Sequence, residues 1–507
     1  MNYKLFFLIV IIICGFLLRF IDVANDPPGL YVDEVSIGYN AYQILTTGKD
    51  EYGVQHPLWF RSYGDYKLPV YIYMVAGSMA IFGKTEFAVR FPSLIAGTLT
   101  IPLLYLFLEK LVGLEKDTTL KKRLKYVPLL ASFFLAISSW HIQFSRGGFE
   151  ITVGTFFYLL GACLFIMWLE KKKTWCILIS ILIFILAMYT YHTFRILSPL
   201  ALLFIAYKEK IYKRSNTFPI VLAVIVLCLP LIIFTLSPSG SERFSATSAF
   251  SQLKLTNIWQ QIVNYPLLFL GNYLSFFSFD FLFSFGDGIG RHQIPNFGEL
   301  YRWQLPFLLS GLYFLLRQKK SIYNYATFLL LLTSPLAGAL AIPSPHALRS
   351  LPLVIPCMIL IAIGVVFIIQ NIGRFRIILL SLLIIIATYE FFFYLHFYYV
   401  HYPQINQLDW GAGYKQIVQA TAQRKSKYIY IVIDGVLNYA PEYFHFYDPS
   451  IKFIMVNASW QKPKKWGDAP VLYIRPFYGQ RSGKNLVANI YLKGINHDIY
   501  AQLWEIK

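Results

Sequence analysis

The sequence predicts a polytopic α-helical membrane protein carrying a small extracytoplasmic α/β domain at its C-terminal end. Three observations predict it. Of 507 residues, 57% are hydrophobic and only 14% charged, with a mean hydropathy of +0.52, whereas soluble domains carry about 25% charge. Many apolar runs approach or exceed the ~17–25 residues that cross a bilayer. After Tyr402-Pro403 the composition turns polar, and strand-like runs such as Tyr428 to Asp434 alternate with helix-like stretches (Gly413 to Gln423, Pro441 to Tyr447).

Taken in order, the apolar runs predict about eleven spans: 4–21, 91–109, 126–145, 149–169, 174–191, 194–207, 217–236, 304–316, 322–341, 349–370 and 375–395. The first lacks a small-x-small cleavage site and precedes further spans, so it reads as a retained helix rather than a signal peptide. The net charge of +19 is not spread as a nucleic-acid surface would be, and no nucleic-acid-reading motif accompanies it. Instead, Lys and Arg concentrate in short loops: Lys110 to Lys125, Lys171-Lys172-Lys173, Lys208 to Arg214, Arg317 to Lys320, and Arg374 with Arg376. By the positive-inside rule these loops are cytoplasmic. An odd number of spans starting inside leaves the C-terminus outside, as expected of a multi-pass protein of the plasma (cell inner) membrane.

Leu68 to Phe82 is apolar but only about fifteen residues long, in the range of an interfacial or re-entrant segment. Laid on the outer face, it keeps every basic loop inside and makes 22–90 one long first outer loop with a juxtamembrane helix. A second long outer loop is expected over 237–303, where the glycines of Gly286-Asp287-Gly288-Ile289-Gly290 supply turns rather than a phosphate-binding GxGxxG. The transmembrane domain then covers 1–400 and the outer domain 401–507. The five cysteines all lie in apolar runs, so packing is expected and no disulfide. Asn457-Ala458-Ser459 forms a glycosylation sequon, relevant only in a glycosylating host.

The polar residues inside or bordering spans gather on the predicted outer side. The first loop offers adjacent Asp33 and Glu34, then His56, Asp65 and Lys67. One carboxylate of the pair suits proton abstraction from a hydroxyl, the other orientation or metal binding; the plainer alternative is an acidic cap on a helix starting near Val35. Further along come Ser145-Arg146 with His141 and Glu150, then His192 with Arg195, Arg291 with His292, and His346 with Arg349. Singly, each arginine is equally an interfacial cation, each histidine a packing residue, and Glu150 a helix-start acid. Together, ionisable groups on one membrane face point to a cavity or functional path. The planar guanidinium fork suits phosphate oxygens, so a lipid-linked phosphate fits such a cavity.

The order of motifs adds to this. A first span is followed by Asp33-Glu34, Lys67-Leu68-Pro69, Phe82-Gly83-Lys84-Thr85-Glu86-Phe87-Ala88-Val89-Arg90-Phe91-Pro92, Ser145-Arg146 and Pro345-His346-Ala347-Leu348-Arg349. This resembles the GT-C membrane glycosyltransferases of the protein mannosyltransferase and aminoarabinose transferase superfamily, over about residues 5–400. The resemblance implies an inverting transfer of a sugar from a polyprenyl phosphate to an extracytoplasmic lipid, glycan or protein. It implies Asp33 as general base supported by Glu34, with Lys67, Arg146 and Arg349 at the donor phosphate. Glu150, His192, Arg195, Arg291, His292 and His346 are the further substrate-binding candidates. Glu150 follows Ser145-Arg146 one residue sooner than in the mannosyltransferase pattern.

The mechanism on this reading needs no nucleotide, and a divalent metal ion is the cofactor left open. Some relatives hold a divalent metal ion through a first-loop carboxylate and a histidine, for which His56 and Asp65 are the candidates; the aminoarabinose transferase Glu-Lys-Pro and the mannosyltransferase His-Pro-Pro are both absent. The competing class is a multi-span transporter or lipid flippase with a polar outer cavity, for which internal symmetry is not seen. A non-catalytic scaffold displaying the C-terminal domain is the third.

Overall fold

The computed structural model describes residues 3–63, 65–208, 217–253, 257–318, 321–457, 460–477, 485–492 and 499–506. Most of the basic loop Lys208 to Arg214, Lys319 with Lys320, and two residues of the sequon lie outside the described residues. The chain is an integral membrane protein, and its contacts divide into two units. One comprises 1–23, 57–74 and 90–395; the other 24–56, 75–89 and 396–507. The expected division near residue 400 therefore misses two stretches of the first outer loop that cluster with the C-terminal segment.

In the first unit the expected helices form close to their predicted bounds. Tyr3–Phe20, Glu86–Leu114 and Glu150–Lys171 are long and apolar enough to cross a membrane. The expected span 126–145 is instead a bent pair, Thr118–Ile137 and Ser139–Arg146, meeting at 55°. Ser138 ends the first helix and caps the second by accepting from the His141 amide. Among the described residues six helices qualify as spans, or up to eight when each bent pair is one span. The lower figure reflects length: Thr174–Met188, Phe194–Lys208, Leu305–Arg317 and Ile322–Thr333 form where expected but are shorter.

Residues 237–303 are not simply a loop. They contain Pro238–Thr247 and Ile258–Ser275, and the latter continues through a π-helical turn to Ser284, a stretch long enough to span. In the first loop, β1 (Phe60–Ser62) and β2 (Asp65–Lys67) pair antiparallel before the short helix Pro69–Phe82, which forms as anticipated.

Interhelical packing uses small residues where backbones meet. A Cβ on Gly311 would collide with the Leu360 carbonyl, and one on Gly364 with the Phe307 carbonyl. These reciprocal glycines let Leu305–Arg317 and Val354–Asn371 touch through their backbones.

At one end of this unit, polar side chains tie the basic segments together. Lys4 pairs with Glu109 at 2.7 Å, Lys110 with Glu170 at 2.8 Å, and Ser321 Oγ donates to Glu115 at 2.6 Å. Lys4, Glu109, Lys110, Glu115, Glu170 and Ser321 thus gather toward one end, in line with the charge pattern.

The second unit contains a five-stranded mixed sheet. β3 (Tyr430–Asp434), β4 (Ile454–Val456), β5 (Val471–Pro476), β6 (Leu486–Tyr491) and β7 (Ile499–Ile506) are ordered β4-β3-β5-β7-β6. β3 runs parallel to β4 and β5, while β7 is antiparallel to β5 and β6. The helices Ala412–Ala422 and Ala440–Tyr447 complete the expected α/β domain. The helix Val32–Thr47 packs on Ala440–Tyr447 because Gly38, with no Cβ, admits the Phe446 ring. Lys415 reaches Glu86 at 3.0 Å, and Tyr447 hydrogen-bonds the same carboxylate.

Gly311→Val should place a side chain against the Leu360 backbone and destabilise the helix pair by about 1–3 kcal/mol, the usual cost of overpacking. Thermal unfolding of the purified protein in detergent measures this; an unchanged midpoint would show that the backbones do not touch there.

Candidate active site

In the second unit, Asp33 and Glu34 occupy the first turn of Val32–Thr47, so the helix begins three residues earlier than the acidic-cap alternative placed it. Glu34 is fully buried and its Oε2 accepts from the Tyr31 amide at 3.1 Å, closing a capping box. Asp33 is half-buried. Tyr443 donates to the Leu30 carbonyl at 2.6 Å just ahead of the pair, and burial first, then the neighbouring Tyr414 and Tyr500, then Glu34 and Asp33, push its phenol well above the ordinary value. The geometry thus gives Glu34 a capping role and distinguishes Asp33 as the carboxylate outside the cap.

In the first unit the short helix Ser139–Arg146 is the hub. Its residues are all buried. Arg19, fully buried near the end of the first span, donates Nη1 to the Gly15 and Ala136 carbonyls at 2.8 and 3.0 Å. Its Nη2 donates to Leu135 O at 3.2 Å and lies 2.8 Å from His141 Nδ1. Arg146, also fully buried, returns Nη1 to Leu18 O at 3.0 Å. The residues that follow the Phe91-Pro92 motif pack here: Ser93 Oγ donates to Phe144 O at 2.9 Å, and a Cβ on Gly97 would strike Ser145. Arg90, fully buried, donates to Val23 O at 2.9 Å.

The opposite side of the hub holds two loops. Ser139 Oγ donates to Glu299 O at 3.3 Å, Gln143 Nε2 to Arg291 O at 2.8 Å, and Trp140 Nε1 to Ala347 O at 3.2 Å. Across these loops Asp287, His292 and His346 converge. The Asp287 Oδ2 lies 2.5 Å from His292 Nδ1, accepts the Ala347 amide at 2.8 Å, and sits 3.9 Å from His346 Nδ1. Burial raises the Asp287 carboxyl, but the His292 charge and hydrogen bond and the Ile289 and Ala347 amides outweigh it and hold it below the usual range. Burial, then the His292 and Arg349 charges, push His346 down to about 2. Glu299, 1% exposed, is pushed well above the ordinary carboxyl value by burial and then by Asp287.

A cavity of about 900 Å³ lies along Phe194–Lys208 and the helix Thr217–Leu236. Its walls are mostly aliphatic, among them Leu202, Ile205, Val224 and Ile225. His192, Arg195 and Arg349 also line it. Arg195 lies in the first turn of its helix and Ala206, eleven positions on, also lines the cavity, so the lining extends about 16 Å along the axis. Arg195 stacks over Phe234 at 5.6 Å, and Arg349 donates to Ile342 O at 2.7 Å. Leu68, next to Lys67, packs with Met188, Cys228 and Leu231, three side chains of the cavity wall.

The structure therefore brings His192, Arg195 and Arg349 to one cavity and sets Lys67 beside its wall. Arg291, His292 and His346 belong instead to the loops held by the hub, and Glu150 is the buried first residue of Glu150–Lys171, the helix-start position. His56 is exposed, and Asp65 accepts its neighbour's amide from Tyr66 at 2.6 Å. Among the described residues, the His, Cys, Asp and Glu side chains that gather as three metal-binding groups are Asp287, His292 and His346. Arg19, Asp287 and Glu299 went unrecognised as site residues: Arg19 lies within an apolar run, Asp287 among turn glycines, and Glu299 has no local pattern.

The sequence model of the dolichyl-phosphate-mannose-protein mannosyltransferase family matches residues 56–234. Among solved structures, ArnT from Cupriavidus metallidurans bound to undecaprenyl phosphate is similar over 99% of this chain and 98% of its own, at 11% identity and a TM-score of 0.55. The chain has the GT-C glycosyltransferase fold. The oligosaccharyltransferase AglB from Archaeoglobus fulgidus, in complex with an inhibitory peptide and a dolichol-phosphate, is similar over 88% of this chain at 14% identity and a TM-score of 0.53. This GT-C chain spans 64% of AglB's length. No curated protein sequence matches it. The family match covers residues 56–234 of the 507, and the solved structures share the chain's fold.

Arg19→Leu should lower the unfolding midpoint of this GT-C chain, removing four buried polar contacts and costing at least about 2 kcal/mol. Arg19→Lys should recover only part, because an ammonium cannot span the same fork. Equal stability of all three proteins would contradict the bracing role.

Proposed function

We propose that the protein is an inverting glycosyltransferase that moves a sugar from a polyprenyl-phosphate donor to an extracytoplasmic acceptor. The observation that carries this reading is the long aliphatic cavity with His192, Arg195 and Arg349 at one part of its wall. An isoprenoid tail gains from burial along such a wall, at roughly 25 cal/mol per Å² of apolar surface. A phosphate needs cationic donors, and guanidinium groups supply them in a fork. ArnT was solved with undecaprenyl phosphate and AglB with dolichol-phosphate, which supports a lipid phosphate as the donor's carrier here.

The reaction is a single displacement at the anomeric carbon. The acceptor oxygen forms the new bond to C1 as the C1–O bond to phosphate breaks, and the polyprenyl phosphate departs with that electron pair. Asp33 takes the acceptor's proton as general base, consistent with its half-buried position outside the cap that engages Glu34. Arg195 and Arg349 meet the charge that grows on the leaving phosphate, with Lys67 beside the cavity wall as a further cation. Arg146 serves first by fixing the hub to the first span. The N-terminus is cytoplasmic and the C-terminal domain extracytoplasmic on this reading, in keeping with the basic segments gathered at one end of the first unit.

Asp33→Asn should lower transfer by about 10²–10⁴-fold in proteoliposomes supplied with polyprenyl-phosphate sugar and a cell-envelope acceptor fraction. Binding of polyprenyl phosphate should persist in that variant. Full transfer by the Asn variant would exclude the base assignment. Arg195→Ala should raise the donor KM about 10–100-fold, the loss of one charge-assisted contact. A transporter would instead move the lipid-linked sugar across the bilayer without releasing polyprenyl phosphate, and that outcome would overturn the enzyme reading.

A further inference from the structure

We infer that Asp287, His292 and His346 form a binding site for one divalent transition-metal ion of the zinc kind, a site that joins two loops and lies apart from the first-loop carboxylate and histidine. Two imidazoles and one carboxylate are a donor set that selects such ions over magnesium or calcium, which take oxygen ligands. The ligand atoms all lie within 4.8 Å of one another. A tetrahedral ion with bonds of about 2.0–2.2 Å holds its ligands about 3.4 Å apart. Asp287 Oδ2 and His346 Nδ1, 3.9 Å apart, need to close by only about half an ångström to reach that spacing. The Asp287–His292 pair, at 2.5 Å, must open by about 0.9 Å, with His292 binding through Nδ1 as the tautomer protonated at Nε2.

Two observations outside the trio favour an ion. His346 Nδ1 is buried without a hydrogen-bond partner, an unfavourable position for a ring nitrogen that metal coordination would relieve. Glu299 is 1% exposed with neither carboxyl oxygen hydrogen-bonded, and it borders the same narrow crevice as His292. Glu299 lies near enough to Asp287 for the two acids to act on each other, and a dication there would offset both.

The support around the ligands is built as metal sites require. Asp287 is oriented by the Ile289 and Ala347 amides at 3.0 and 2.8 Å, and the Ala347 carbonyl is in turn fixed by Trp140 Nε1. Phe144 packs on the His292 ring at 5.2 Å. An ion here would lock the loop around 287–292 to the loop around 343–349, both of which hang on the hub helix. Because Arg349 follows His346 closely and lines the large cavity, the ion would also hold that cavity's cationic wall in place.

The test uses the full-length, tag-free protein in detergent, stripped with a chelator and titrated with Co²⁺ and Zn²⁺. Elemental analysis should find about one equivalent per chain, Co²⁺ should develop the intense visible absorption of a four-coordinate site, and Zn²⁺ should raise the unfolding midpoint. His346→Gln breaks no side-chain hydrogen bond at Nδ1, and it should weaken metal binding by more than about 10-fold and abolish the thermal shift. Uptake below a tenth of an equivalent, or uptake and spectrum unchanged in both His346→Gln and His292→Gln, would overturn the site. If His346→Gln does not fold, the wild-type Co²⁺ spectrum decides: four-coordinate bands support the site, and the weak spectrum of a hydrated six-coordinate ion rejects it.

Discussion

A guanidinium buried among apolar helices must find acceptors for its N–H groups, and the way Arg19 does so organises the transmembrane unit. Its donors reach the carbonyls of residues 15, 135 and 136 and the His141 ring, at the break between Thr118–Ile137 and Ser139–Arg146. The break turns a would-be straight span into a support for loops. With Arg146 tied back to Leu18, both ends of the short helix are fixed to the first span. The segments around 291, 299 and 347 then hang from its polar side chains. In a hydrocarbon environment such contacts have no water to compete with, which is why Ser139, Trp140, Gln143 and Arg146 on the hub each donate to a backbone carbonyl.

The same economy of polar groups separates two kinds of cation in this chain. Arg19, Arg90 and Arg146 are fully buried and bonded to carbonyls, so they shape the fold. Arg195 and Arg349 border an open apolar volume and retain a surface toward it. That division, more than the number of arginines, underlies the proposal of a lipid phosphate as the ligand of the second set. A transmembrane packing residue and a phosphate-binding residue carry the same side chain and differ in what lies opposite.

Much of this was legible in the sequence, and the parts that were not have physical reasons. Helices such as Glu150–Lys171 and Thr217–Leu236 appear within one or two residues of their apolar runs, because hydrophobic length is a local property. The C-terminal α/β alternation was legible for the same reason. Clustering of 24–56 with the C-terminal segment was not, since it depends on approaches such as Gly29 against the Trp410 carbonyl and Tyr443 on Leu30. Glu34 could be read either as catalytic companion or cap, and only the Tyr31 contact distinguishes them. Asp287 and His346 lie 59 positions apart and share no motif spacing, so their meeting with His292 had no sequence signal.

The central claim is that a lipid phosphate occupies the aliphatic cavity beside Arg195 and Arg349. Native mass spectrometry of the purified protein with added polyprenyl phosphate tests it most directly, comparing wild type with a Val224→Trp variant that fills the cavity wall. One bound lipid phosphate per wild-type chain and none on the filled variant is the predicted result. Equal occupancy of both proteins would contradict the account.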